Sequence, residues 1–400
     1  MKKYVIWFLL IISASLYGQK FKGLAMTPPM GWNSWNCFGC DVNEAMIMEV
    51  ADAMVESGMK ETGYQYIIID DCWHGMRDSL GFIHAHPEHF PSGMKALADY
   101  IHSKGLKFGI YSDAGWRTCA GRPGSRGYEY QDALTYAEWG VDYLKYDWCD
   151  TEGLNPVGAY LTMRNALYKA GRPVVFSICE WGTASPWEWA KDIGHCWRIS
   201  GDIAPLFDGK EGHGNWDSWG VLQILDMRKD IRKYAGPDHW NDFDMMEVGN
   251  GMTTDEDRAH FSLWCMMASP LMVGNDIRRM SDETREILTN KEAIAVNQDE
   301  LGIQGYKCHQ EDEWEIWAKP LKGGDLALCF LNRGIESVKV EYNWLKEVIK
   351  DDLKGIHYRF IDQKYGIRDL WAKKDIGSTN QVFKRKLKSH DVILLRLTKK

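Results

Sequence analysis

The sequence has no excess of positive charge. Its 48 lysine and arginine residues are outnumbered by 56 aspartate and glutamate residues, which gives a formal net charge of -8 at pH 7. Proteins that bind nucleic acid concentrate lysine and arginine on one face, where these side chains contact phosphates. We therefore expect no nucleic-acid partner.

A hydrophobic run long enough to cross a bilayer is also missing, since a spanning helix needs about 20 apolar residues. At the N-terminus, Lys2 and Lys3 precede an apolar run of roughly a dozen residues, and small residues follow up to Gly18. This order is typical of a secretory signal peptide, and a membrane anchor is the less favoured alternative. We expect residues 1–18 to be a signal peptide, the mature protein to be periplasmic or extracellular, and no membrane association after cleavage.

The ten cysteines do not form a metal-binding pattern. Cys37 and Cys40 form one CxxC pair, but no second pair and no nearby histidines complete a zinc site. A phosphate-binding loop is missing as well, because GWNSWNCFG after the first predicted strand does not fit the pattern GxGxxG. We expect no metal and no cofactor, and export would allow disulfides among the cysteines.

Predicted strands and helices alternate along most of the chain. The β-branched and aromatic run at 141–146, for example, follows an apolar pattern of helical spacing at 129–139. Eight such alternations imply a parallel sheet with right-handed crossovers, and eight strands close a barrel. We predict an α/β fold, with a (β/α)8 TIM barrel over residues 24–300; a doubly wound open sheet is the competing fold.

The pattern changes after the predicted barrel. Short runs split by glycine, asparagine and lysine replace the long helical periods, which predicts an antiparallel β-sandwich domain over residues 301–400. Its predicted strands are 314–318, 325–331, 337–342, 381–387 and 391–397. The predicted helices of the barrel are 42–61, 93–104, 129–139, 158–170, 187–193, 219–234, 255–268 and 282–296. No low-complexity linker separates the two parts, so we expect them to pack together.

Acidic residues recur where the predicted barrel strands end. They are Asp70, Asp71, Asp113, Asp147, Glu180, Asp202, Asp242 and Asp244. Each alone could cap a helix, but repetition at one end of the barrel gathers like charges that a ligand or proton must neutralise. Glycoside hydrolysis uses two carboxyl groups across the scissile bond, and tryptophans beside these positions could support a sugar ring. The tryptophans are Trp32, Trp35, Trp73, Trp148 and Trp181.

Six motifs, in order and at the spacing of barrel strands, together resemble the α-galactosidases of glycoside hydrolase family 27. They are TPPMGWNSW (27–35), IDDCW (69–73), KYDWC (145–149), CEWG (179–182), WRISGDI (197–203) and WNDFDMMEVGN (240–250). The resemblance runs from Leu24 to Asp276, and the region after the barrel shares only its β-rich character with that family. Phe243 departs from the pattern, because proline is usual at that place.

The resemblance implies a pocket for terminal α-galactose, and hence a galactosyl oligo- or polysaccharide as partner. It implies that Asp147 is the nucleophile and Asp202 the general acid and then base, with net retention of the anomer. The implied pocket residues are Trp35, Asp70, Asp71, Cys119, Lys145, Cys179, Glu180, Trp181, Arg198, Asp244 and Met245. The implied disulfides are Cys40–Cys72 and Cys119–Cys149; whether Cys179 and Cys196 pair stays open.

Two cations close in sequence to the proposed catalytic residues allow predictions about charge. Lys145 lies two residues before Asp147 on the same predicted strand, so its ammonium group could keep that carboxyl group ionised. A general acid needs a raised pKa, which burial or a nearby anion would supply. Arg198 would oppose this if it touched Asp202, so we assign Arg198 to substrate hydroxyl groups or to the side of the nucleophile.

Four alternatives to an α-galactosidase remain, and a metal-dependent hydrolase, which EDTA would inactivate, is the least favoured of them. A β-L-arabinopyranosidase of the same family would accept the sugar that lacks the hydroxymethyl group of galactose. An α-N-acetylgalactosaminidase would carry a small residue at the position of Glu180, so Glu180 argues for a free 2-hydroxyl group. A non-catalytic sugar-binding protein would lack one of the two carboxyl groups, and both are present. The oligomeric state has no signal in the sequence.

Overall fold

Eight parallel strands form the first part of the molecule, which we describe from a computed structural model covering residues 20–228 and 230–400. Each strand pairs in parallel with its neighbours, and Met246, four residues after the strand Trp240–Asp242, forms a bridge to Val273 in the other edge strand, so the barrel prediction is confirmed. The barrel strands are Met30–Asn33, Tyr66–Ile69, Lys107–Asp113, Tyr143–Asp147, Val175–Ile178, Cys196–Arg198, Trp240–Asp242 and Leu271–Val273. The predicted signal peptide lies outside the described residues. Within them, no helix is both long and apolar enough to span a bilayer.

The helices of the barrel surround the strands. They are Trp35–Phe38, Glu44–Glu56, Met59–Thr62, Gly93–Ser103, Glu129–Trp139, Pro156–Ala170, Pro186–Trp189, Val221–Met227, Thr254–Met267, Asp282–Leu288 and Lys291–Asn297, with 3-10 turns at Ala190–Asp192, Ile231–Tyr234 and Ile277–Arg279. Two predicted helices are interrupted. The helix over 42–61 breaks at Gly58, whose φ of 82° no regular helix contains. The helix over 282–296 restarts at Asn290, whose side-chain oxygen caps two backbone N–H groups.

The fourth barrel strand shows how alternation separates core from site. Leu144 and Tyr146 point outwards and pack in the large apolar cluster between the strands and the helices. Tyr143 points inwards and packs in a second cluster that fills the barrel interior. Because side chains alternate along a strand, Lys145 and Asp147 lie on the same inward side as Tyr143, nearer the carboxyl end.

The C-terminal part consists of antiparallel sheets that form a β-sandwich, as predicted. A six-stranded sheet has the spatial order Tyr306–Glu311, Trp314–Pro320, Leu326–Asn332, Val392–Lys399, Tyr365–Asp369 and Lys374–Ser378. Two-stranded pairs form between Val338–Tyr342 and Phe383–Leu387, and between Val348–Asp351 and Ile356–Arg359. Short 3-10 turns lie at Lys322–Gly324 and Trp344–Lys346.

The strand Leu326–Asn332 is buried along its whole length and joins the two parts. Leu328 and Phe330 pack into the interior of the sandwich, whereas Cys329 and Leu331 belong to the same cluster as the outer face of the barrel. The barrel helix Thr254–Met267 packs against this sheet. The sandwich therefore has two apolar faces, one for its own core and one for the barrel.

A β-hairpin that the sequence did not predict lies in the loop after the sixth barrel strand. It pairs Lys210–Gly212 with Asp217–Trp219, and we call residues 210–219 the mouth hairpin. The prediction of a helix over 219–234 is wrong at both ends. Trp219 ends this hairpin and the helix begins at Val221, and it stops at Met227 because Arg228 is extended; a separate 3-10 turn follows at Ile231–Tyr234. The mouth hairpin extends the carboxyl-end rim of the barrel.

Candidate active site

The carboxyl ends of the barrel strands bring together most of the acidic residues singled out in the sequence. Asp113 and Asp147 end two neighbouring strands and are in register with each other. The positive charge of Lys145 and the negative charges of Asp70 and Asp202 all act on the pKa of Asp147. The result is one polar cavity at the mouth of the barrel.

Asp147 ends the fourth barrel strand and is only 6% exposed, and we call this buried position the floor of the mouth. One of its carboxyl oxygens accepts a hydrogen bond of 2.9 Å from the backbone N–H of Trp148. Burial raises the pKa of Asp147 to about 7; Lys145 opposes the rise, and the negative charges of Asp202 and Asp70 add to it. The carboxyl group is therefore held near the point where it gains or loses a proton at neutral pH.

Lys145 binds a different aspartate from the one expected. Its Nζ lies 2.8 Å from an oxygen of Asp70, which also accepts a 2.7 Å hydrogen bond from the side chain of Asn33. The ammonium group acts on Asp147 through its charge, and burial outweighs that effect. The charge of Lys145 thus favours the ionised form of Asp147, as predicted. Burial has the larger effect, so the pKa of Asp147 is raised in the free protein.

The assignment of Arg198 away from Asp202 is wrong. The strand ends at Arg198, and the turn through Ser200 and Gly201 brings Asp202 back, so that Arg198 Nη2 lies 3.0 Å from Asp202 Oδ1. The same nitrogen lies 2.9 Å from Asp244 Oδ2. Arg198 is therefore shared between two carboxyl groups.

The expected rise in the pKa of Asp202 is absent for the same reason. Burial alone would raise this pKa, but the charges of Arg198 and Lys145 outweigh burial and lower it below its ordinary value. The side chain of Asp202 is 40% exposed, so water also solvates the charged form. In the free protein Asp202 is the more acidic carboxyl group of the pair.

Asp71 is held by backbone groups of two loops. One of its oxygens accepts a 2.7 Å hydrogen bond from the N–H of Cys72, and the other accepts a 2.9 Å bond from the N–H of Ala120. Burial raises its pKa, and these hydrogen bonds and that of Thr118 limit the rise. The loop that contains Cys119 is therefore tied to the second barrel strand through Asp71.

Glu180 is buried after the fifth strand and has one free oxygen. Its Oε2 accepts hydrogen bonds from Thr183 Oγ1 at 2.7 Å and from the N–H of Ala184 at 2.6 Å. Its Oε1 is buried without a hydrogen-bond partner among residues 20–228 and 230–400, and burial raises the pKa of the group. Trp181 follows with a φ of 59°, and Cys179 Sγ lies 3.7 Å from Arg198 Nη1. The free oxygen of Glu180 is an unused hydrogen-bond acceptor.

Of the apolar and cysteine residues named from the sequence, Cys179 and Met245 line the cavity at the barrel mouth. Trp35 packs against the interior cluster of the barrel that contains Met245. Cys119 is bonded to Cys149, and Cys40 is bonded to Cys72. Cys179 and Cys196 are free thiols. Both disulfides tie loops that follow neighbouring strands at the mouth.

Several residues of the cavity were not assigned a role from the sequence. Asn33 holds Asp70 and comes from the motif MGWNSW, of which only Trp35 had been selected. Asp113 was noted at a strand end; burial and the charge of Asp147 raise its pKa to about 9. Asp242 accepts a hydrogen bond from the N–H of Asp244, and burial raises its pKa to about 6. Repetition of acids at strand ends was the signal for both aspartates.

One group of potential metal ligands occurs among the described residues, namely Asp113, Cys119 and Cys149. Its two sulfur atoms form a disulfide and offer no thiolate. The chemistry of this group does not suit a metal ion.

Comparison with known proteins identifies the family. Residues 27–299 match the family model described as alpha galactosidase A, and residues 311–397 match the model described as alpha galactosidase C-terminal beta sandwich domain. This chain belongs to the α-galactosidases of glycoside hydrolase family 27.

Individual family members are similar over nearly the whole chain. The alpha-galactosidase A of Cellvibrio japonicus is 60% identical over 389 residues, which covers 97% of this chain and 96% of the relative. The structure of α-galactosidase I from Mortierella vinacea has a TM-score of 0.86 and 38% identity, with 94% of this chain and 98% of that chain covered. The Saccharomyces cerevisiae α-galactosidase structure with raffinose has a TM-score of 0.88 and 31% identity, with 94% and 99% covered.

The departure from the α-galactosidase motif at Phe243 has a local explanation. Its backbone N–H donates a 3.1 Å hydrogen bond to Ser269 Oγ, an interaction that proline could not make. Its ring is buried and packs edge-on against Trp264, while Asp242 and Asp244 on either side keep their inward contacts. The substitution replaces one way of fixing this loop with another.

Proposed function

We propose that this protein is an exported, retaining α-galactosidase that removes terminal α-D-galactosyl residues from oligo- or polysaccharides. The observation that carries the proposal is the pair Asp147 and Asp202, two carboxyl groups at one barrel mouth that lie close enough for the charge of Asp202 to raise the pKa of Asp147. Membership in the α-galactosidase family supports it. The division into residues 24–300 and 301–400, and a signal peptide at 1–18, are parts of the same proposal.

In the first step, Asp147 attacks the anomeric carbon while Asp202 gives its proton to the departing oxygen. The bond to the leaving sugar breaks, and a covalent galactosyl ester of Asp147 forms. Esterification removes the negative charge of Asp147, which lowers the pKa of Asp202 further and suits it to act as base. Asp202 then takes a proton from a water molecule whose oxygen attacks the anomeric carbon. The ester bond to Asp147 breaks, and galactose is released with its original anomeric configuration.

The lowered pKa of Asp202 in the free protein has to rise when substrate binds. The side chain is 40% exposed, and a sugar placed over it would exclude water and disfavour the charged form. Asp244 competes for Arg198 at 2.9 Å and can retain the guanidinium group. Covering Asp202 with the substrate is therefore the step that makes it an acid.

Galactose selectivity follows from acceptors in fixed places. Asp70 and Asp71 are held by Asn33, Lys145 and backbone N–H groups. Their carboxylate oxygens would accept hydrogen bonds from the O4 and O6 hydroxyl groups of galactose. An epimer that fails to reach them leaves buried polar groups unpaired, which costs binding energy. The free oxygen of Glu180 would accept the 2-hydroxyl group, which an acetamido substituent would displace.

The proposal is tested with purified wild-type protein and three nitrophenyl glycosides, those of α-D-galactose, β-L-arabinopyranose and α-N-acetylgalactosamine. We expect the α-galactoside to be cleaved fastest, the first product seen by NMR to be α-galactose, and activity to survive exhaustive EDTA. A first product of β configuration would overturn the retaining mechanism. Preference for either of the other two glycosides would replace the proposed substrate.

A further inference from the structure

The mouth hairpin is attached directly to the proposed general acid. The backbone N–H of Trp219 donates a 2.8 Å hydrogen bond to the carbonyl oxygen of Asp202, and the N–H of Ala204 donates a 2.9 Å bond to the carbonyl of Trp219. A bridge between Ile203 and Trp219 continues the pairing. The hairpin is therefore hydrogen-bonded to the backbone of Asp202 and of the residues that follow it.

The tip of the mouth hairpin presents an indole ring to solvent. Trp216 is 50% exposed, and its ring stacks on that of His213 with centroids 4.1 Å apart and planes inclined by 25°. The Nε2 of His213 lies 2.9 Å from the hydroxyl oxygen of the buried Ser218. The ring of Trp216 is thus supported from beneath by a residue that is itself fixed.

Exposed polar groups lie on the two strands of the same hairpin, where Lys210 Nζ is 5.6 Å from the centroid of the Trp219 ring. Lys210 and Asp217 pair at 2.7 Å on the two strands of the hairpin, with side chains 56% and 31% exposed. A flat apolar face beside exposed hydrogen-bonding groups matches a hexose, whose ring has an apolar face and a polar perimeter. Exposure of the apolar indole face to water is unfavourable, and a sugar ring stacked on it would cover that face.

The position of the hairpin selects which sugar it meets. The general acid contacts the oxygen of the breaking bond, so the leaving sugar lies beyond Asp202, on its solvent side. Trp216 is three residues from Trp219, which is hydrogen-bonded to Asp202, so at most about 10 Å of chain separates the exposed tip of the hairpin from that contact. One or two sugar units span that distance.

We propose that Trp216, supported by His213, is a stacking platform for the leaving part of the substrate. The proposal rests on the proposed function and makes it more specific: the substrates are galactosyl oligosaccharides with at least one hexose after the galactose. Lys210 and Asp217 would bind hydroxyl groups of that hexose. Galactosides with a small leaving group would not use the platform.

The test compares two substrates in wild type and Trp216→Ala. Raffinose, a galactosyl oligosaccharide, has sugars after the galactose, whereas α-galactosyl fluoride has none. We expect kcat/KM on raffinose to fall about tenfold in Trp216→Ala, and kcat/KM on the fluoride to stay within about twofold. Trp216→Phe, which keeps an aromatic face, should recover most of the loss.

The matched control is Tyr168→Ala, because Tyr168 is 44% exposed near the end of the helix Pro156–Ala170, at the opposite end of the barrel. It should change neither substrate. An equal loss on both substrates, or no loss on raffinose, would overturn the platform. Failure of the wild type to cleave the fluoride would instead overturn the proposed function, so the two failures are distinguishable.

Discussion

The floor and the rim of the barrel mouth hold the two proposed catalytic carboxyl groups in contrasting surroundings. At the floor, Asp147 is 6% exposed, touches no cation and has a pKa raised to about 7 by burial. At the rim, the Asp202 side chain is 40% exposed and touches Arg198, and its pKa is lowered. The buried groups around Asp147 therefore set its pKa before substrate arrives, whereas the pKa of Asp202 depends on whether substrate covers it.

The largest expected effect separates the two carboxyl groups by leaving group. Fluoride departs without a proton, so Asp202→Asn should release about one equivalent of fluoride per site from α-galactosyl fluoride in a burst, and then stall. On raffinose its kcat/KM should fall about 10²- to 10⁴-fold. Asp147→Asn should show no burst and at least as large a loss on both substrates.

Rapid-mixing measurement of fluoride release checks this prediction, with intact-protein mass spectrometry to detect the galactosyl adduct. Wild type with each substrate is the control. A burst from Asp147→Asn, or an adduct on any residue other than Asp147 in Asp202→Asn, would reverse the assignment of floor and rim.

The next effect is on pH dependence. The pair reacts while it holds one proton, and burial together with the charge of Asp202 keeps that proton bound to about pH 7. We expect wild-type kcat/KM to fall about tenfold per pH unit above about pH 7. In Asp202→Asn the negative charge is gone, so the pKa of Asp147 falls and the fluoride burst should no longer slow above pH 7.

The pH profiles of kcat/KM for wild type, and of the burst rate for the variant, test this directly. An alkaline limb at the same pH in both proteins would show that another group controls it. Asp113 is the group to examine then, because burial and the charge of Asp147 raise its pKa to about 9.

The smallest effect is on stability. The folded protein holds the pKa of Asp147 at about 7, against an ordinary value of 3.8, so ionisation favours the unfolded chain. Stability that is fully present below about pH 4 is lost as pH rises through 7. Asp147→Asn should therefore unfold a few degrees above wild type at pH 8, and the difference should vanish near pH 4.

Thermal unfolding of both proteins across this pH range tests the prediction. Asp52→Asn is the control of opposite sign, because its hydrogen bond from Lys104 lowers the pKa of Asp52, and its removal should give no gain at pH 8. A wild type at least as stable as Asp147→Asn at pH 8 would contradict the prediction that ionisation of the buried Asp147 destabilises the folded protein.

Local patterns predicted the barrel well where one signal dominated. The helix Glu129–Trp139 was predicted at both ends, because apolar spacing is regular and Gly140 terminates it with a φ of 87°. The strand carrying Asp147 was found from its β-branched and aromatic residues. The helix satisfies its backbone hydrogen bonds within itself, and the strand pairs with the two barrel strands beside it.

Turns of the chain and short polar strands account for what the sequence could not predict. The contact between Arg198 and Asp202 depends on a turn that folds the chain back, and spacing along the chain contains no signal for it. The mouth hairpin has short, polar strands without alternation, and its pairing with Asp202 stabilises it. The strand Tyr306–Glu311 was missed because its residues are mostly polar and half-exposed.

The doubly buried strand Leu326–Asn332 bears on how this family can be recombined. Its side chains pack alternately into the core of the sandwich and against the barrel. Replacing the sandwich with that of a relative would therefore also replace one side of the interface with the barrel. Arg258 on the barrel side binds Asp391 of the sandwich at 2.9 Å, which adds a charge match to the shape match. A soluble chimaera would therefore need the helix Thr254–Met267 and the sandwich from the same parent. The segment to exchange extends across the boundary between the two parts.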